Sequence, residues 1–147
     1  FKTVAEIVPQ NIPLTSFSIL FARLKGDLAA FRKGAEAIAN LQDGDKVLIL
    51  ESCTHHAIED DIGRVKIPAL LRKKTGKNLI IENYAGHDFP DISSYKLIIH
   101  CGACMTNRRE ILSRILKANE AGVPVTNYGI TISYCLGILE RAMQIFR

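Results

Sequence analysis

Five residues at two places in the chain carry the strongest chemistry: Cys53 and His55, and then, with 44 residues between the two histidines, His100, Cys101 and Cys104. Thiolates are soft donors that favour iron–sulfur clusters, zinc or copper. The run His100-Cys101-Gly102-Ala103-Cys104 wraps two thiolates around one centre. Gly102 lets the backbone come close, and a helix beginning just beyond directs N–H groups at an anion. Three chemistries share these donors. An iron–sulfur cluster would take Cys53, Cys101 and Cys104, whether the domain carries clusters or, as the alternative, transfers electrons through one; a structural zinc would take three Cys and one His; a thioredoxin-like redox pair would use Cys101 and Cys104 and leave Cys53 without a part. His55 and His100 stand open between ligation, hydrogen bonding behind the ligands and lining of a pocket. Cys135, in Tyr134-Cys135-Leu136-Gly137 on an expected helix, reads as core. His56 and His87 read as polar loop residues.

The elements that must bring Cys53 and Cys101 together are short strands alternating with helices. Leu20, Leu24, Leu28, Phe31, Ala35 and Ile38 recur at three- and four-residue steps and predict one amphipathic helix ending before the turn Asp43-Gly44-Asp45. Lys46 to Leu50 reads as a buried strand. A helix is expected from about Pro68, which suits a first turn, to Gly76, and Asn78 to Glu82 gives a second strand. Lys96 to Ile99 makes a third, running directly into His100-Cys101. Thr106 or Asn107 caps a helix with the stripe Ile111, Leu112, Ile115 and Leu116, stopped by Gly122 and Pro124. Val123 to Thr126 is a fourth strand. A last helix from about Ile130 to the end has Ile138, Leu139, Ala142, Met143 and Phe146 on its core face.

Continuously apolar strands between helices imply a parallel sheet covered on both faces. The expected fold is a small α/β, Rossmann-like or flavodoxin-like three-layer domain with a four-stranded parallel sheet in the order 2-1-3-4. Ligands of such sheets bind at the carboxyl ends of the strands, and Cys53, Cys101, Cys104 and all four histidines follow those ends. Neighbouring parallel strands lie ~5 Å apart, so half-motifs distant in sequence converge there.

Composition narrows the function classes. A chain of 147 residues with 48% hydrophobic content suits one domain with a single core. Its net charge of +4 is spread along the chain, and Arg72-Lys73-Lys74 and Arg108-Arg109 read as helix ends, so no nucleic acid partner is implied. The first residue is Phe1, with no basic-then-apolar leader and no apolar run of membrane-spanning length. The expectation is a soluble, cytoplasmic fragment of a longer protein in a reducing compartment, with no membrane partner. Thr75-Gly76-Lys77 lacks the upstream glycine of a phosphate loop, which leaves nucleotide binding without local support.

The pattern C-x-H, a gap of 44, then H-C-x-x-C resembles the signature of the HydF family, GTPase and scaffold proteins of FeFe-hydrogenase maturation. The segments Pro13-Leu14-Thr15-Ser16-Phe17-Ser18, Asp60-Asp61-Ile62-Gly63-Arg64-Val65-Lys66-Ile67-Pro68, His100 to Met105, and Gly122-Val123-Pro124-Val125-Thr126-Asn127-Tyr128-Gly129 are similar too, in the same order. The resemblance implies an N-terminal GTPase domain that binds GTP, a middle dimerisation domain and a C-terminal cluster domain, of which this chain is similar to the last. Residues 1–14 would then be the exit from the dimerisation domain and 15–147 the iron–sulfur cluster-binding domain, itself not an enzyme. It further implies that Cys53, Cys101 and Cys104 hold a 4Fe-4S cluster with one exchangeable iron. The family's homodimer receives a diiron precursor made with the radical-SAM maturases HydE and HydG, and delivers it to the apo-hydrogenase. His55 and His100 match the motif's histidines. Asn127, Tyr128, Arg64, Arg108 and Arg109 are our own candidates for holding the anionic precursor by hydrogen bonds and charge.

Overall fold

The computed structural model describes residues 2–51, 62–86, 90–102 and 106–146. Its helices are α1 (Lys2–Ile7), α2 (Phe17–Lys25), α3 (Leu28–Glu36), α4 (Ile67–Thr75), α5 (Arg108–Glu120), α6 (Tyr128–Cys135) and α7 (Leu139–Met143). The strands are β1 (Lys46–Glu51), β2 (Ile80–Ala85), β3 (Leu97–His100) and β4 (Val125–Asn127). They form one all-parallel sheet in the order β2-β1-β3-β4, the α/β three-layer arrangement expected from the apolar runs.

The sheet is the core. Val47 to Leu50 and Leu97 to Ile99 are buried, as continuous apolar strands must be when helices cover both faces. Each such side chain contributes roughly 1.5–3 kcal/mol relative to exposure. β2 is the edge strand and exposes much of its surface. It begins two residues later than its apolar run suggests, because Asn78 belongs to the turn beneath the sheet. Its N–H donates to Asp43 Oδ1 at 2.8 Å and its carbonyl accepts from Gly44 N–H at 2.8 Å.

Two expected helices are each broken in two. The stripe from Leu20 to Ile38 divides at Gly26-Asp27. The Asp27 carboxylate accepts the Ala30 N–H at 3.0 Å and starts α3, while the Phe31 ring packs so close to Gly26 that a Cβ there would sit 2.8 Å from it. Leu24 thereby leaves the core face and is exposed. The last helix divides at Gly137, whose φ of 74° only glycine adopts readily. Gly137 N–H donates to Tyr134 O at 3.0 Å and Ile138 N–H to Ser133 O at 2.9 Å, the paired bonds of a Schellman ending. α5 ends in the same way at Gly122.

Cross-links join the ends of the chain to this body. Gly34 brings α3 against the backbone of β4, where a Cβ would lie 2.0 Å from the Val125 carbonyl oxygen. Arg141 of α7 donates to the carbonyls of Ala5, Val8 (2.7 Å) and Pro9 (3.0 Å), clamping the end of α1. No helix among the described residues is long and apolar enough to cross a membrane.

Candidate metal centre

The order β2-β1-β3-β4 reverses direction between β1 and β3. Right-handed crossovers carry α4, between β1 and β2, and α5, between β3 and β4, to opposite faces. The chain therefore diverges above the junction of β1 and β3, the place where open parallel sheets bind ligands. Register makes the junction specific: Leu50 pairs with His100, and the Cys101 N–H donates to Leu50 O at 2.8 Å. Cys101 thus leaves the sheet beside Glu51, the last residue of β1, with Cys53 two residues further along that chain. Cys53, His55 and Cys104 lie outside the described residues, as do His56 and His87. Among the described residues no group of three His, Cys, Asp or Glu side chains converges. Cys101 is half-buried and not in a disulfide. A thiol at a sheet edge, beside the exit that leads to a second, is a donor chemistry that fits an iron–sulfur cluster.

His100 is a buried residue, 3% exposed, and both of its ring nitrogens are engaged. Nε2 lies 2.9 Å from Arg114 Nη1, and Nδ1 lies 2.8 Å from the Cys101 carbonyl oxygen. A guanidinium only donates, so Nε2 accepts, and the ring proton sits on Nδ1 and is donated to the carbonyl. Of the three roles open to His100 in the sequence, this geometry matches hydrogen bonding behind a ligand. Arg114 itself is 5% exposed; its Nη2 donates to the Gly86 carbonyl at 3.0 Å and to Glu110 Oε1 at 3.1 Å.

The other polar candidates sit around the same edge, and the structure gives several of them partners in the fold. Asn127, 3% exposed, ends β4 and caps α6. Its Oδ1 accepts the Ile130 N–H at 2.9 Å and its Nδ2 donates to Ser18 O at 3.1 Å. Tyr128 begins α6 and donates its hydroxyl to Glu51 Oε1 at 3.4 Å, leaning over Gly63 so closely that a Cβ there would lie 2.1 Å from the phenol oxygen. Arg108 donates to the Leu24 carbonyl at 3.0 Å, joining α5 to α2. Arg64 lies exposed in the π-helical turn Ile62–Lys66, and Arg109 is exposed in the first turn of α5. That helix is capped by the Asn107 side chain, which accepts the Glu110 N–H at 2.9 Å, three residues beyond Cys104.

Two residues of this edge had no part in the sequence reading. Glu51 is the carboxylate at the β1 exit. Arg114 occupies the buried stripe of α5 with Ile111, Ile115 and Ala118, and a charge on an apolar face is the signal that marks it. Cys135 differs from Cys101. It ends α6, packs partly against the core, and burial pushes its thiol up to about 11, with the Lys74 charge pulling the other way. A thiol held protonated is a poor metal ligand.

Comparison with known proteins gives two matches. The model for the hydrogen maturase F tetramerization domain matches residues 29–145, and that for the hydrogen maturase F dimerization domain matches residues 1–26. No curated protein matches the chain.

Proposed function

Since this chain belongs to the hydrogen maturase F family, we propose that its strand-end thiolates hold a 4Fe-4S cluster and carry a diiron precursor during maturation of FeFe-hydrogenase. Hydrogenase maturation is the process the family serves, and both matched regions are its self-association domains. The finer reading is ours. It rests above all on the pairing of β1 with β3: Leu50 stands opposite His100, so the chain segments leading to Cys53 and Cys104 leave the sheet side by side.

In this reading residues 15–147 form the cluster-binding unit, approached by residues 1–14. Cys53, Cys101 and Cys104 are the thiolate ligands. When bound by these three thiolates, a 4Fe-4S cluster would offer one iron without a thiolate. Tyr128 and Glu51 close one side of the β1 exit, and His100 stands behind Cys101 without offering a lone pair to iron. We assign His55, Arg64 and Arg109 to attracting an anionic diiron precursor by charge and hydrogen bonds, while Asn127 and Arg108 also hold α2, α5 and α6 together. HydE, HydG and the apo-hydrogenase are the proposed partners, a homodimer the working form, and the cytoplasm the proposed location. GTP belongs to a separate domain.

The test is EPR of the anaerobically reconstituted, reduced protein beside its iron and sulfide content. A paramagnetic cluster is expected in the native protein and in Cys135→Ser, and none in Cys53→Ser, Cys101→Ser or Cys104→Ser. Stoichiometric zinc with no EPR signal would overturn the reading, as would normal iron content in Cys53→Ser.

A further inference from the structure

We infer that Arg114 is a positioning residue that fixes the backbone of Cys101, and with it the Cα–Cβ direction, by acting through His100. The inference rests on the reading of Cys101 as a cluster ligand. Two peptide groups flank the Cys101 Cα. The one before it is held by the Cys101 N–H donated to Leu50 O at 2.8 Å, and the one after it by the Cys101 carbonyl, which accepts from His100 Nδ1 at 2.8 Å. With both peptide planes fixed, the Cα–Cβ bond has one direction.

The second of these bonds exists only in the tautomer with the proton on Nδ1. Imidazole tautomers are otherwise close in energy, and the partner of one nitrogen selects the proton position on the other. Arg114 Nη1, a pure donor 2.9 Å from Nε2, makes that selection. The arginine also ties in the neighbouring exit. Its Nη2 holds the carbonyl of Gly86, whose N–H donates to Glu51 O at 3.0 Å at the end of β1. The exits of β1, β2 and β3 thus share one buried guanidinium, with Glu110 at 3.1 Å compensating its charge. A buried ion pair is a weak stabiliser compared with an apolar side chain of the same volume. Geometry at the strand ends is what this one supplies.

The test compares the native protein with Arg114→Gln and Arg114→Lys, each first shown to melt cooperatively. In the metal-free protein, long-range proton–nitrogen NMR should find His100 as the Nδ1–H tautomer natively. Arg114→Gln should show a mixture or the Nε2–H form, with faster amide exchange at Cys101. After reconstitution, Arg114→Gln should have shifted EPR g-values and lose iron to a chelator several-fold faster than the native protein, with Arg114→Lys between them. An unchanged tautomer with unchanged g-values and release rate in Arg114→Gln would overturn the inference. If Arg114→Gln does not fold, His100→Asn and His100→Leu decide: the Asn amide can still donate to the Cys101 carbonyl, so Asn should retain iron longer than Leu, and equal rates refute the role. A native protein that takes up no iron sinks the cluster reading alone, because the tautomer and amide exchange are read without metal.

Discussion

Replacing Asn127 by Ala removes two hydrogen bonds from a buried position that joins three elements. The first is the cap of α6, with Oδ1 accepting from Ile130 N–H at 2.9 Å; loss of an N-cap costs about 1 kcal/mol. The second is the amide donated to the part-buried Ser18 carbonyl of α2 at 3.1 Å, and such a bond contributes about 0.5–1.5 kcal/mol net. The sum is about 1.5–2.5 kcal/mol, which for a domain of this size lowers Tm by roughly 5–10 °C. Asn127→Ser separates the terms, since a serine oxygen still caps α6 but cannot reach Ser18, so its loss should be smaller than that of Ala by about the cap's 1 kcal/mol. The assay is a pair of urea and thermal melts followed by far-UV circular dichroism. If Asn127→Ala melts within ~2 °C of the native protein, Asn127 is not the structural joint described.

Gly34→Ala should destabilise the chain although alanine favours helices by about 1 kcal/mol, because the new Cβ would meet the Val125 carbonyl oxygen at 2.0 Å and backbone cannot yield cheaply; a raised Tm would refute the packing of α3 on β4. Cys135, its thiol raised to about 11 by burial, should be alkylated slowly at pH 8 and progressively faster as pH climbs towards 11. The thiol of the unfolded chain ionises first, so stability should fall as pH rises from about 9 towards 11; mass spectrometry of timed labelling and melts across that range check both. GTP should not bind this chain in calorimetry, because Thr75-Gly76-Lys77 closes the carboxyl end of α4, with Gly76 in a left-handed cap at φ 64°, and a phosphate loop needs its lysine at a helix amino end; stoichiometric binding would show the nucleotide reading to be mistaken.

Strand order, and the placing of Cys101 beside the β1 exit, were legible because buried parallel strands leave continuous apolar runs. The division at Asp27 was hidden because α2 and α3 keep a three- and four-residue recurrence across the break, so periodicity alone reads one helix. Gly137 was hidden differently: apolar residues lie on both sides of it, and only the left-handed backbone shows that the helix stops. Polar residues near the strand ends were the hardest. Asn127 and Arg108 each bond a neighbouring carbonyl, and a side chain that does so has the same composition as one that bonds a guest, so these structural bonds could not be read from sequence. Arg114 was hidden because the apolar recurrence Ile111, Leu112, Ile115 and Leu116 points one step away from the face actually buried, Ile111, Arg114, Ile115 and Ala118, which leaves Leu116 exposed.

The Arg141 clamp on the Ala5, Val8 and Pro9 carbonyls bears on how separate sites would be spaced in an assembly. Residues 1–26, the region matched to dimerization, are bolted to the body at α1 by Arg141 and at α2 by Arg108 and Asn127. A flexible tether lets a site sample a volume, and its encounter rate with a partner follows the linker's length. A bolted joint fixes one vector from the dimerization-matched residues to the Cys101 edge. Two copies joined through that region then hold their strand-end edges at a set distance and angle, so an incoming partner meets one rigid template, and removing the Arg141 guanidinium would return the first dozen residues to the behaviour of a leash.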